Sequence, residues 1–127
     1  MKAYVATKYE FKDRAREVML ELSRAGHTIS YDWTVNEQIS PVQAMADLRG
    51  VYDADFLVVI FEKDAAYKGS FVELGAALAL GKPVYALGHA MDLYQREAGW
   101  GGCLFLAHPN VHREDVYRRD ILGETHS

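Results

Sequence analysis

Phe56-Leu57-Val58-Val59-Ile60-Phe61 is the stretch from which the fold of this chain is read. No polar residue alternates with the apolar ones. An unbroken apolar run of this length suits a strand whose two faces are both covered by helices. Working outward, the polar loop Glu62 to Lys68 leads into a helix expected from Ser70 to Leu80, which Gly81-Lys82-Pro83 stops. Val84-Tyr85-Ala86-Leu87 then reads as the next strand, and Cys103 to Leu106 as the last. On the N-terminal side, Ser40-Pro41-Val42-Gln43 is a helix start: Ser40 can cap, Pro41 fits the first helical position and Gln43 can close a capping box. That helix should run to about Tyr52. Earlier still, Ala3 to Ala6 and Thr28 to Tyr31 read as strands. Between them Phe11, Ala15, Val18, Met19 and Leu22 recur at helical spacing, and Gly26 ends the helix.

Strands alternating with helices imply a single α/β domain over residues 1–127. The expected architecture is doubly wound and flavodoxin-like: five parallel strands in the order 2-1-3-4-5, with helices on both faces. Such a sheet holds its ligand beyond the carboxyl ends of the strands, where strands 1 and 3 part company. The loops Thr7 to Glu10 and Glu62 to Gly69 should meet there. The segment Gly88 to Gly102 is rich in glycine and polar residues, with room for a short helix around Met91 to Glu97. Beyond His108 the tail reads either as one more helix or as a loose end.

Composition narrows the function. A net charge of -4 disfavours a polymeric nucleic acid partner, which usually demands a basic face. A single cysteine, Cys103, excludes an internal disulfide, and the five histidines show no ligand spacing, so neither a metal nor a cofactor is expected. Without a long apolar segment there is no expected membrane span and no signal peptide, and a cytoplasmic location is the natural reading.

One charge stands out. In Ser70-Phe71-Val72-Glu73-Leu74-Gly75-Ala76-Ala77-Leu78-Ala79-Leu80 the only ionisable side chain is Glu73. A helix apolar all round is a buried helix, so this carboxylate should lie at the edge of the expected crevice. Ser70 and Glu73 also have the spacing of a capping box, in which Glu73 would merely bond back to the Ser70 amide. The other reading is chemical: a carboxylate in a crevice can attack an anomeric carbon and form a glycosyl-enzyme.

The run Gly69 to Val84, with its Glu73-Leu74-Gly75-Ala76-Ala77 core and Gly81-Lys82-Pro83 behind it, resembles the signature of the nucleoside 2-deoxyribosyltransferase family, which includes 2'-deoxynucleoside 5'-monophosphate N-glycosidases. The resemblance extends from strand 1 to strand 4. It implies that Glu73 is the nucleophile, that Tyr4 hydrogen-bonds it, and that Asp47 binds the sugar hydroxyls. It also implies a homo-oligomer, a dimer or higher, in which the region His89 to Asp92 reaches into a neighbour's site. One position departs from the pattern. Transferases of the family often carry an aspartate six residues before the nucleophile, and the nucleotide hydrolases a serine; this chain has Tyr67. Its hydroxyl can hydrogen-bond, and Asp64 in the same loop can substitute.

The expected ligand is a nucleoside or nucleotide. Gly69 and Ser70 open the helix that carries Glu73 and should border it. Lys8, Lys12 and Arg14 flank the first loop and can meet a 5'-phosphate, although such residues more often form a solvated face. Tyr9 and Trp33 lie near the crevice, where an aromatic ring can stack on a base. Phe11 is expected in the core. Three readings follow: transfer of a (deoxy)ribosyl group between bases, hydrolysis of a nucleoside 5'-monophosphate by the same nucleophile, or a nucleotide-binding module in which Glu73 does not react.

Overall fold

A computed structural model describes residues 1–36, 39–62, 67–88 and 104–125. Five strands form one sheet in the order β2-β1-β3-β4-β5. They are β1 (Lys2–Ala6), β2 (Thr28–Ile29), β3 (Phe56–Ile60), β4 (Val84–Leu87) and β5 (Val111–His112), and every adjacent pair is parallel. All five residues of β3 are buried, as its unbroken apolar run requires. Three main helices connect the strands: α1 (Lys12–Arg24), α2 (Pro41–Asp53) and α3 (Gly69–Ala79). The chain steps one way from β1 to β2 and the other way from β2 to β3. Right-handed crossovers therefore send α1 and α2 to opposite faces. The helix α3 joins α2 on its face.

The last strand is not where the sequence suggested. Leu104–Ala107 is a 3-10 turn, with Leu104 and Phe105 exposed and only Leu106 buried. The strand is Val111–His112, whose residues pair with Val84 and Tyr85. A short apolar run does not by itself distinguish a strand from a turn that buries one side chain. The tail does form a helical segment, Glu114–Val116 continued by a π-turn at Tyr117–Ile121. It packs through the buried Tyr117 and Ile121, and His27 holds it by a 2.9 Å bond from Nε2 to the Ile121 carbonyl. The short helix expected at Met91 to Glu97 lies outside the described residues.

Two local features position the site. The helix α2 starts as its sequence suggests, with Ser40 Oγ accepting from the Gln43 amide at 3.2 Å. Gln43 does not close the box, because its side-chain oxygen is engaged by Tyr31 and Asn36. At its other end α2 is held by Lys82 of the Gly-Lys-Pro turn. That ammonium donates to the carbonyls of Val51 (2.9 Å), Ala54 (2.6 Å) and Tyr52. These carbonyls lie at the C-terminal end of α2, where a cation complements the helix dipole. Close approach of α2 to the sheet depends on Gly50, where a Cβ would lie 2.8 Å from the Tyr4 ring and from Tyr31 Cβ.

Candidate active site

Beyond the carboxyl ends of β1 and β3 lies a cavity of about 650 Å³. Thr7, Lys8 and Tyr9, which follow β1, line one side of it. Lys68, Gly69 and Ser70, at the start of α3, line another, and Ser40, Gln43 and Asp47 of α2 a third. Thr7 ties the two strand ends together by donating from Oγ1 to the Ile60 carbonyl at 2.8 Å. This is the place an open α/β sheet reserves for a ligand.

Glu73 and Tyr4 both reach this cavity. Tyr4 is fully buried on the α2–α3 face of β1, and its hydroxyl donates to Glu73 Oε2 in a short hydrogen bond. The capping box is not what holds Glu73. The residue before α3 is Lys68, with no side-chain cap, and Ser70 lies inside the helix. Burial pushes the Glu73 carboxyl up to about 7; the Tyr4 hydrogen bond works against that shift, and the nearby Asp47 charge adds to it. The same burial, with the adjacent carboxylate, drives the Tyr4 hydroxyl far up, so it stays a donor. Asp47 is also raised, by burial. Its Oδ1 is enclosed without a hydrogen-bond partner among the described residues. An orphaned acceptor of this kind costs stability and marks a place where a donor is missing.

The other expected site residues separate into three groups. Lys8, Tyr9, Trp33, Gly69 and Ser70 all line the cavity. Trp33 does so as a nearly buried ring, pinned by a 2.6 Å bond from Nε1 to the Val5 carbonyl, with Tyr9 tilted 6.3 Å away. Tyr67 does not line it. That side chain is 4% exposed and packs edge-on to Phe61 at 5.1 Å and near Phe11 at 6.1 Å, so its ring serves the core. Arg14 is occupied by Glu17 and Glu62, while Lys12 sits over the Tyr9 ring. Asp64 and the region His89 to Asp92 fall outside the described residues.

Three residues of the wall carried no functional signal in the sequence. Lys68 read only as the end of a loop, Gln43 as part of a helix start, and Asn36 as one polar residue among several. Each enters the site through tertiary placement. Among the described residues no group of three His, Cys, Asp or Glu side chains is arranged to hold a metal, and no helix is long and apolar enough to cross a membrane.

No family model matches the chain, and no curated sequence does. Among solved structures it resembles the CMP N-glycosidase BcmB of Clostridium botulinum, with a TM-score of 0.62 over 89% of this chain and 87% of that one. The two are 22% identical, so the likeness is one of fold: a five-stranded parallel α/β sheet that carries a carboxylate-floored cavity at its switch point in the present chain.

Proposed function

We propose that this protein cleaves the N-glycosidic bond of a nucleoside 5'-monophosphate, with Glu73 as nucleophile. The observation that carries the reading is the Glu73 carboxylate on the cavity wall, hydrogen-bonded by the buried Tyr4 and facing the unsatisfied Asp47. Glu73 attacks C1' of the sugar. The C1'–N bond breaks, its electron pair leaves with the base, and the base takes up a proton. Water then attacks C1', the C1'–O bond to Glu73 breaks to free the carboxylate, and the proton that the water gives up balances the one the base has taken from solvent. A nucleophile must be ionised, and a carboxyl raised to about 7 is about half ionised at neutral pH. Tyr4 supports that form by donating to it. A sugar hydroxyl supplies the donor that Asp47 Oδ1 lacks.

Two lysines favour a phosphorylated substrate. Lys8, which also pairs with Glu10 at 2.7 Å, and Lys68 both line the cavity, and so does the N-terminal turn of α3, whose dipole also attracts anions. The likeness to a CMP N-glycosidase supports the same substrate class. Transfer to a second base shares the first chemical step and is the second reading. Exposed Val42, Met45 and Val72 on the helices around the cavity support self-association, as the family resemblance implies.

The test is a panel of ribo- and deoxyribonucleoside 5'-monophosphates and the matching nucleosides, each with and without a second free base, followed by chromatography. Base release from monophosphates, lost in Glu73→Gln while ligand binding persists, is expected. Exchange of bases without net release would favour the transferase reading. Neither release nor exchange from any compound would overturn the enzyme reading in favour of a binding module.

A further inference from the structure

Asn36, Gln43 and Tyr31 form a closed hydrogen-bonded trio on the wall of the cavity. Tyr31 donates from its hydroxyl to Gln43 Oε1 at 3.0 Å. Asn36 Nδ2 donates to the same oxygen at 2.7 Å and to the Tyr31 hydroxyl oxygen at 2.6 Å. These bonds fix the two amides relative to each other: turned over together they would make the same trio with donors and acceptors exchanged, again leaving one donor and one acceptor. Gln43 Oε1 uses both lone pairs and Asn36 Nδ2 both hydrogens. What is left is the Gln43 Nε2 amino group and the Asn36 Oδ1 atom, one donor and one acceptor on two side chains that are bonded to each other. Neither has a partner among the described residues, and both side chains line the cavity.

We propose that this amide pair reads the hydrogen-bonding edge of the departing base. The proposal rests on the N-glycosidase reading and names a subsite within it. Gln43 and Asp47 are four residues apart on α2, so they share a face and stand one turn, about 6 Å, apart. A sugar held between Asp47 and Glu73 therefore sends its base along α2 toward Gln43. Trp33, locked to the Val5 carbonyl, and Ile39 supply flat and apolar wall on that side. The Watson–Crick edge of every nucleobase carries a donor next to an acceptor, which a paired amide matches in two bonds. The trio holds the two amides rigid, which lowers the ordering cost of binding.

The experiment compares wild type with Gln43→Met and Asn36→Leu, two neutral changes of similar size. Each is assayed on the monophosphate that releases its base fastest and on a 4-nitrophenyl riboside 5-phosphate, whose leaving group has no base edge. Thermal unfolding reports whether each variant is folded. The expected result is a drop in kcat/KM of roughly 10–100-fold on the nucleotide, a changed ranking among the four bases, and a clearly smaller loss on the nitrophenyl substrate. Equal losses on both substrates, or folded variants with unchanged base ranking, would overturn the subsite while leaving the glycosidase reading intact. A wild-type protein that cleaves neither substrate would overturn both. If Gln43→Met does not fold, Asn36→Leu decides by the same comparison.

Discussion

Replacing Glu73 with glutamine should stabilise the protein at pH 8 and leave it unchanged near pH 4.5. The Glu73 carboxyl is lifted from its ordinary 4.5 to about 7, chiefly by burial. A raised carboxyl holds its proton more tightly in the folded than in the unfolded chain. Its contribution to stability is therefore fully present below 4.5, declines as pH rises, and is gone above 7. At about 1.4 kcal/mol per pH unit, the full displacement amounts to about 3 kcal/mol against the ionised native state. Glutamine cannot ionise, and its Oε1 can still accept from the Tyr4 hydroxyl. Relaxation around the ionised carboxylate lowers the working figure to about 2 kcal/mol, or roughly 8 °C in Tm for a domain of this size. Circular dichroism melts of both proteins at pH 4.5, 6 and 8 read the difference directly, and no substrate is needed. The two proteins should melt together at pH 4.5 and separate progressively toward pH 8. A constant difference at all three values, or a variant less stable at pH 8, would refute the idea that Glu73 is ionised at a desolvation cost. Wild-type activity should slope the opposite way, with kcat/KM falling as pH drops below about 7, because only the ionised carboxylate attacks.

Two further substitutions test how the site is held. Gly50→Ala puts a Cβ 2.8 Å from the Tyr4 ring, so it should cost about 1–3 kcal/mol by overpacking. It should also push Tyr4 off Glu73, moving the acid limb of the pH–rate profile upward; an unchanged profile would mean Tyr4 does not support the carboxylate. Lys82→Met removes the ammonium that holds three carbonyls at the end of α2, and urea unfolding should show a loss of about 1–3 kcal/mol, with no loss expected if those bonds are merely exchanged for water.

The β3 run and the two helices that bracket it were legible because their signals are local. Six consecutive apolar residues at 56–61 need cover on both faces, and the structure buries the whole of β3. The start of α2 was legible for the same reason, since Ser40 and Pro41 act within one turn. Glu73 could be singled out because a lone charge in an apolar helix is conspicuous without any partner in view. The failures came where a side chain had two options of similar local energy. Leu104 to Leu106 is as apolar as a short strand, yet Val111 and His112 are the residues that reach β4. Tyr67 had a hydroxyl to offer a ligand, but its ring found Phe61 and Phe11 first.

Residue order alone therefore determined the parallel α/β layering and marked one carboxylate as out of place, because periodicity and charge in a helix are properties of neighbouring residues. Only the tertiary structure decided what that carboxylate meets. Its donor, Tyr4, lies 69 positions away along the chain. The amides of Asn36 and Gln43 come together only because the loop after β2 folds back on α2. Which face a loop side chain presents is set by how the helices pack on the sheet, and no short stretch of sequence carries that distance.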